Sequence, residues 1–162
     1  MRSIIDTACF QRLRNIRQTS YAPLYPASFH NRFIHSIGVY HLGRKVFNTV
    51  RNSVDCLEQM SNEEMDNIKR IFELACLLHD VGHAPFSHTG ERFFLEDAAN
   101  SPAIYASLRE LVSDDEFSND FDYYYNNAKV AAPHEIMSCI VALNVFKGHF
   151  KEASERAFFC DV

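Results

Sequence analysis

Leu74-Ala-Cys-Leu-Leu-His-Asp-Val-Gly-His-Ala-Pro-Phe-Ser-His-Thr-Gly-Glu91 is the stretch on which the fold turns, because it joins an apolar helical run to a dense set of polar side chains. Ile71, Ala75 and Leu78 recur at helical spacing, and Phe72, Cys76 and His79 do so one step round. His79 and Asp80 therefore arrive at the end of a buried helix. There a neutral imidazole and a carboxylate can present one nitrogen and one oxygen to a divalent cation. Gly82 and Pro85 break or loosen the helix, so His83, His88 and Glu91 can fold back over whatever His79 and Asp80 hold. A lone histidine in such a setting reads as a satisfied core residue. Here five polar side chains, His79, Asp80, His83, His88 and Glu91, fall within thirteen positions. Burying that much polarity without an ion to organise it is costly, so the cluster reads as a metal or phosphate site.

Around this stretch the chain has 162 residues, enough for one domain with a real core, and at 47% hydrophobic and 23% charged it is globular. A net charge of −5 argues against a general nucleic-acid binder, which needs a basic face. The charge is uneven: Arg2, Arg12, Arg14, Arg17, Arg32, Arg44 and Lys45 make the first third basic, which suits a small anionic ligand there. The five cysteines form no C-x-x-C pair and read as reduced, mostly buried thiols of a cytoplasmic protein. No apolar run approaches the ~20 residues that span a bilayer, and no signal-peptide pattern is present.

Phe10, Leu13 and Ile16 predict a short amphipathic helix in Ser3–Thr19, with Arg12, Arg14 and Arg17 as a solvated basic face. Pro23 and Pro26 among Tyr21, Tyr25 and Phe29 predict an aromatic loop over 20–30. Residues 31–52 return to helix, where Phe33, Ile37, Tyr40 and Val46–Phe47 line an apolar face. Gly38 and Gly43 interrupt it and predict close packing or ligand approach. Ser61-Asn-Glu-Glu64 is a capping box that starts the helix leading to His79. Ser101-Pro102 starts another, with Ile104, Leu108, Leu111 and Val112 as its buried stripe. The acidic, tyrosine-rich 114–127 has no clear period and reads as a loop. Pro133 opens a helix running to Gly148 with His134 in its first turn, and a last helical piece spans 151–159. No segment reads as a strand, so the fold class is all-α.

With these residues in view, the sequence resembles the HD-domain phosphohydrolases. More narrowly, it resembles their deoxynucleoside triphosphate triphosphohydrolase branch, which includes the bacterial dGTPases and the vertebrate protein that joins a sterile-alpha-motif to an HD domain. The resemblance rests on Ile4-Ile-Asp-Thr7, Phe10-Gln-Arg-Leu-Arg14, His30-Asn-Arg-Phe-Ile-His-Ser-Ile-Gly-Val39, His79-Asp-Val-Gly-His-Ala-Pro-Phe-Ser-His88 and His134-Glu135, in the family's order across most of residues 4–140. It implies an HD helical bundle in which His35, His79 and Asp80 are metal ligands. Arg32 then matches a substrate-phosphate contact. His83, His88, Glu91 and His134 match proton-transfer and supporting positions, with His88 as general acid. Asp6, Gln11 and Arg14 match residues that hold an activating guanine nucleotide at a subunit interface in the vertebrate member, which implies a homo-oligomer.

The implied cofactor is a divalent metal ion (Fe, Mn, Mg, Zn, Co or Ni), which lowers the pKa of bound water toward ~7 and polarises a phosphoryl oxygen. The implied reaction is dNTP plus water to a deoxynucleoside and triphosphate. The family's fourth ligand is an Asp on a later helix, and no matching Asp precedes Val162. We therefore expect residues 1–162 to be one HD domain lacking the family's C-terminal helices, with dNTP hydrolysis far slower than in an intact relative. The alternatives are an HD phosphohydrolase acting on another nucleotide phosphoester, or a catalytically inert metal- or nucleotide-binding module.

Overall fold

Glu64 N donates to Ser61 Oγ at 3.2 Å and Ser61 N donates to the Glu64 carboxylate at 2.9 Å, the reciprocal box expected from the sequence. It opens helix α4 (Asn62–Leu78), which runs to a C-cap at His79. The computed structural model describes residues 1–18, 30–53, 60–95, 101–126 and 131–162. Within it, α4 is the axis of an all-α bundle: Ile71, Leu74, Ala75, Leu77 and Leu78 are all buried. Helix α3 (Arg32–Arg51) packs along it. Gly43 makes that approach possible, because a Cβ there would lie 2.5 Å from Cys76 Sγ. Gly38 has open space where its Cβ would be, so close packing holds at only one of the two glycines.

The N-terminal segment is not the single helix its spacing predicts. It forms α1 (Arg2–Ile5), α2 (Ala8–Gln11) and a 3-10 turn, Arg12–Asn15. Thr7 makes the break: its hydroxyl donates to Ile4 O (2.7 Å) and accepts from Phe10 N (3.3 Å), ending one helix and capping the next. Ile4, Phe10, Leu13 and Ile16 are buried all the same, so the apolar reading survives the change of backbone. The segment is tied to the start of α3, with Arg32 N donating to Ile16 O at 2.9 Å and Gln18 N to His30 O at 3.0 Å. The predicted aromatic loop lies outside the described residues but for His30.

Beyond the site, α5 (His88–Leu95) and α6 (Ser101–Val112) pack on α8 (Pro133–Val145), and α9 (Ala153–Asp161) packs on α4. Helix α8 stops at Val145, with a 3-10 turn at Lys147–His149 where the sequence predicts continuation to Gly148. The predicted acidic loop is a helix, α7 (Asp115–Asn126). Asp114 starts it by accepting from Phe117 N at 3.0 Å, Asp115 and Glu116 suit the positive end of its dipole, and Phe117 and Phe121 stack on its inner face. Ser113 ends α6 in the left-handed region (φ 58°), which makes the α6–α7 joint tight. Among the described residues there is no strand, only an isolated bridge between Arg17 and Asn31. Cys9, Cys76, Cys139 and Cys160 are free and half-buried.

Candidate metal centre

Asp80 is the hub. Its side chain is 3% exposed, and its Oδ2 atom lies 3.8 Å from His35 Nε2, 3.5 Å from His79 Nε2 and 2.8 Å from Arg32 Nη1. His35 and Arg32 come one turn apart on α3, and His79 and Asp80 follow the last turn of α4, so the α3–α4 pairing assembles the set. Burial alone would raise the Asp80 pKa. The nearby His79, the bonded guanidinium of Arg32 and, last, His83 outweigh it and hold the carboxyl below its ordinary value. Burial lowers the pKa of His35 in spite of Asp80 beside it, with His79, Arg32 and His30 adding to the effect.

These three donors fit a divalent ion. Two atoms each ~2.1 Å from one ion in tetrahedral geometry lie about 3.4 Å apart, close to the 3.5 and 3.8 Å found from Asp80 to the two imidazoles. The rings of His35 and His79 are inclined at 70°, so they are not stacked flat and their nitrogens can converge. His79 Nδ1 lies 3.0 Å from Cys76 O. A carbonyl only accepts, so Nδ1 carries the proton and Nε2, facing Asp80, offers a lone pair.

A second group lies beside the first. His88 Nδ1, His134 Nδ1 and His83 Nδ1 stand 2.5, 2.9 and 4.0 Å from Glu91 Oε1, while His83 Nε2 faces Asp80 Oδ1 at 3.4 Å. His83 and His134 stack 4.1 Å apart with their planes at 20°, so their in-plane lone pairs lie in separate, nearly parallel planes. That favours holding and passing protons over caging an ion. His83 is fully buried and neither ring nitrogen has a hydrogen-bond partner. Its burial, aided by Arg32, pushes its pKa down to about 3 against the pull of Asp80, so it is neutral at pH 7.

The structure brings all eight expected residues of the cleft together: His35, His79, Asp80, Arg32, His83, His88, Glu91 and His134. Arg32 is 2% exposed and bridges the parts, donating to Asp80, to Ser87 Oγ (2.6 Å from Nη2) and toward His88 Nε2 at 3.3 Å. Asp6, Gln11 and Arg14 are not in the cleft. Asp6 is exposed at the end of α1, and Arg14 Nε donates to Gln11 Oε1 at 2.6 Å while its guanidinium lies 3.8 Å over the Phe33 ring. Asp161 does not join the histidines. It lines a cavity of about 370 Å³ that also reaches His79, Cys139 and Cys160.

Three residues escaped the sequence reading. Ser87, in the left-handed region at φ 53°, is the hydroxyl that anchors Arg32. Ser138 accepts from Gly82 N at 2.9 Å, and a Cβ on Gly82 would strike the Met137–Ser138 backbone at 2.3 Å. Gly82 is thus required by the contact with α8, not by the bend it was expected to make. Arg12 is no solvated cation: it donates to His83 O (2.8 Å) and Val81 O (2.5 Å). All three lie in or beside recognisable strings, but their partners are distant in sequence.

The helical bundle thus presents two histidines and an aspartate, from the end of one helix and the face of its neighbour, that could hold a metal ion. The HD domain family matches residues 32–121, more than half of the chain, and the chain belongs to that family. It is 41% identical over 90 residues, 54% of its length, to a deoxynucleoside triphosphate triphosphohydrolase SAMHD1 homolog of Dictyostelium discoideum, and covers 16% of that protein. It is 39% identical over 93 residues, 57% of its length, to deoxynucleoside triphosphate triphosphohydrolase SAMHD1 of Bos taurus, covering 15%. With a putative HD domain-containing protein of Acanthamoeba polyphaga mimivirus it shares 36% identity over 132 residues, 74% of this chain and 29% of the other. The chain thus spans less than a third of each of these relatives. No solved structure matches it.

Proposed function

We propose that the cleft is the metal-binding and proton-transfer part of a phosphohydrolase that cleaves dNTPs to a deoxynucleoside and triphosphate. The observation that carries this reading is the convergence on Asp80 of two metal-ligating imidazoles and a buried guanidinium, which sets a cation site beside an anion site. His35, His79 and Asp80 hold the divalent ion, which supplies Lewis acidity toward a phosphoryl oxygen and lowers the pKa of water. Arg32, fixed by Asp80 and Ser87, offsets charge on the phosphate oxygens. His88 presents Nε2 to the Arg32 side and Nδ1 to Glu91. A carboxylate only accepts, so Glu91 keeps the proton on Nδ1 and leaves a lone pair on Nε2; Nε2 takes up a proton first, and the resulting imidazolium, balanced by Glu91, gives it to the departing oxygen. Glu91 draws His134 to the same oxygen, and His134 stacks on His83.

The relatives named as dNTP triphosphohydrolases support the substrate class and, by the same likeness, a separate nucleotide contact at Asp6, Gln11 and Arg14 in a homo-oligomer. No helix of the described residues is long and apolar enough to cross a membrane. The test is a dNTP panel with Mn²⁺ or Co²⁺. Triphosphate release by the wild type, abolished in His79→Ala and strongly reduced in His88→Ala, is expected. Release of pyrophosphate or monophosphate instead, or equal turnover by His79→Ala, would overturn the reading.

A further inference from the structure

His83 sits between the two groups of side chains, yet nothing bonds its ring. It is fully buried, and both nitrogens lack hydrogen-bond partners. Its position therefore depends on the backbone that carries it and on the rings packed against it. That backbone is the Val81-Gly82-His83 turn, immediately after Asp80. On one side α8 holds it, through Ser138 Oγ and the close approach at Gly82. On the other, the guanidinium of Arg12 forks across the carbonyls of Val81 and His83. We propose that Arg12 is a positioning residue for the cleft, and that its fork sets the turn which aims His83 between Asp80 and Glu91. The hydrolytic arm of the test rests on the function proposed above.

Two further contacts make the N-terminal segment a firm base for this fork. Arg32 N donates to Ile16 O at 2.9 Å, so the segment also fixes the first residue of α3. Phe33, next to Arg32, packs edge-on to Phe10 at 5.4 Å and lies under Arg14. The segment thus reaches the cleft twice, through a guanidinium at the turn and through the start of α3. A fork is needed for the first contact: Lys has one compact charge and cannot span two carbonyls with the fixed geometry of Arg.

The experiment compares wild type with Arg12→Ala and Arg12→Lys, loaded with diamagnetic Zn²⁺ for histidine-ring NMR (the His83 signal assigned by its loss in His83→Gln) and with Mn²⁺ for single-turnover dNTP hydrolysis with protein in excess. In Arg12→Ala the expected results are unchanged metal content, a shifted and broadened His83 ring resonance and a hydrolysis rate lower by ~10²-fold, as for a misplaced reacting group. Nucleotide affinity should stay near the wild-type value. Guanidinium ion in solution should return the resonance and the rate toward wild type, and Arg12→Lys should fall between. A His83 resonance unmoved in folded Arg12→Ala overturns the proposal. So does a rate loss that tracks metal loss and does not respond to guanidinium. If Arg12→Ala fails to fold, Arg12→Lys decides by the same resonance. If wild type hydrolyses no dNTP, the proposed function fails, and the position of the His83 resonance still decides the role of Arg12.

Discussion

Two groups of histidines lie side by side in this molecule, and both have a carboxylate at the centre. Around Asp80, His35 and His79 meet at 70°, and a backbone carbonyl fixes the His79 tautomer so that its lone pair points inward. Around Glu91, His83 and His134 lie in a near-parallel stack, and His88 is a hydrogen-bonded partner of the carboxylate at 2.5 Å. Residue type and proximity are alike in the two; ring orientation and tautomer separate them. Donor atoms in both sets lie close enough to share an ion; in the proposed function the first set holds it and the second holds protons.

The largest effect that can break this contrast is metal retention. Purified His79→Ala should lose its divalent ion, with affinity down by more than ~10²-fold, since even a supporting partner of a ligand is worth 10–100-fold. His134→Ala should keep wild-type content by elemental analysis. Loss of metal in both variants would make the two groups a single metal site.

Next in size is the pair between Arg32 and Asp80, side chains each 3% exposed. Arg32→Ala leaves a buried carboxylate unpaired and should cost about 3–5 kcal/mol in urea unfolding of chelator-treated protein. The cost should shrink when metal is added, because the ion takes over the role of countercharge. An equal cost with and without metal would separate Asp80 from the cation site.

His83 sharpens the contrast through pH. Its folded pKa of about 3 is below that of an exposed imidazole, 6.5. Between those values the unfolded chain binds the extra proton, so stability is fully present above about pH 6.5 and falls as pH drops, by up to about 1.4 kcal/mol per unit. Metal-free wild type should show this slope between pH 6.5 and 4, before carboxylates dominate, and His83→Gln should flatten it. A flat wild-type profile would mean that the burial of His83 does not exclude its charged form.

The smallest effect concerns the helix that carries His35. Gly38→Ala adds a methyl to open space within α3 and should stabilise by about 0.5–1 kcal/mol. Gly43→Ala meets Cys76 and should destabilise, with thermal melting as the readout for both. Opposite signs would show that α3 is held to α4 at Gly43 and is free at Gly38.

Much of this is legible in the amino-acid sequence. Local rules were enough to place the capping box at Ser61, the apolar faces of α4 and α6, the arrival of His79 and Asp80 at a helix end, and His134 in the first turn of α8, because each depends on neighbours within four positions. Helix α7 was missed since consecutive tyrosines blur its period, although Asp114 with Asp115 and Glu116 after it is a readable start signal. The N-terminal break was missed because Thr7 serves two backbone groups at once.

Sequence by itself determined the kinds of donor in the cleft and the helices that carry them. Only the tertiary structure decided which histidines converge and which stack, that Arg12 is bonded to a turn about seventy positions away, and that Gly82 is shaped by its contact with Ser138. The physical reason is range. Helical periodicity and capping act within a turn, while ring orientation and the partners of a long cation are set by elements that meet only when the bundle packs.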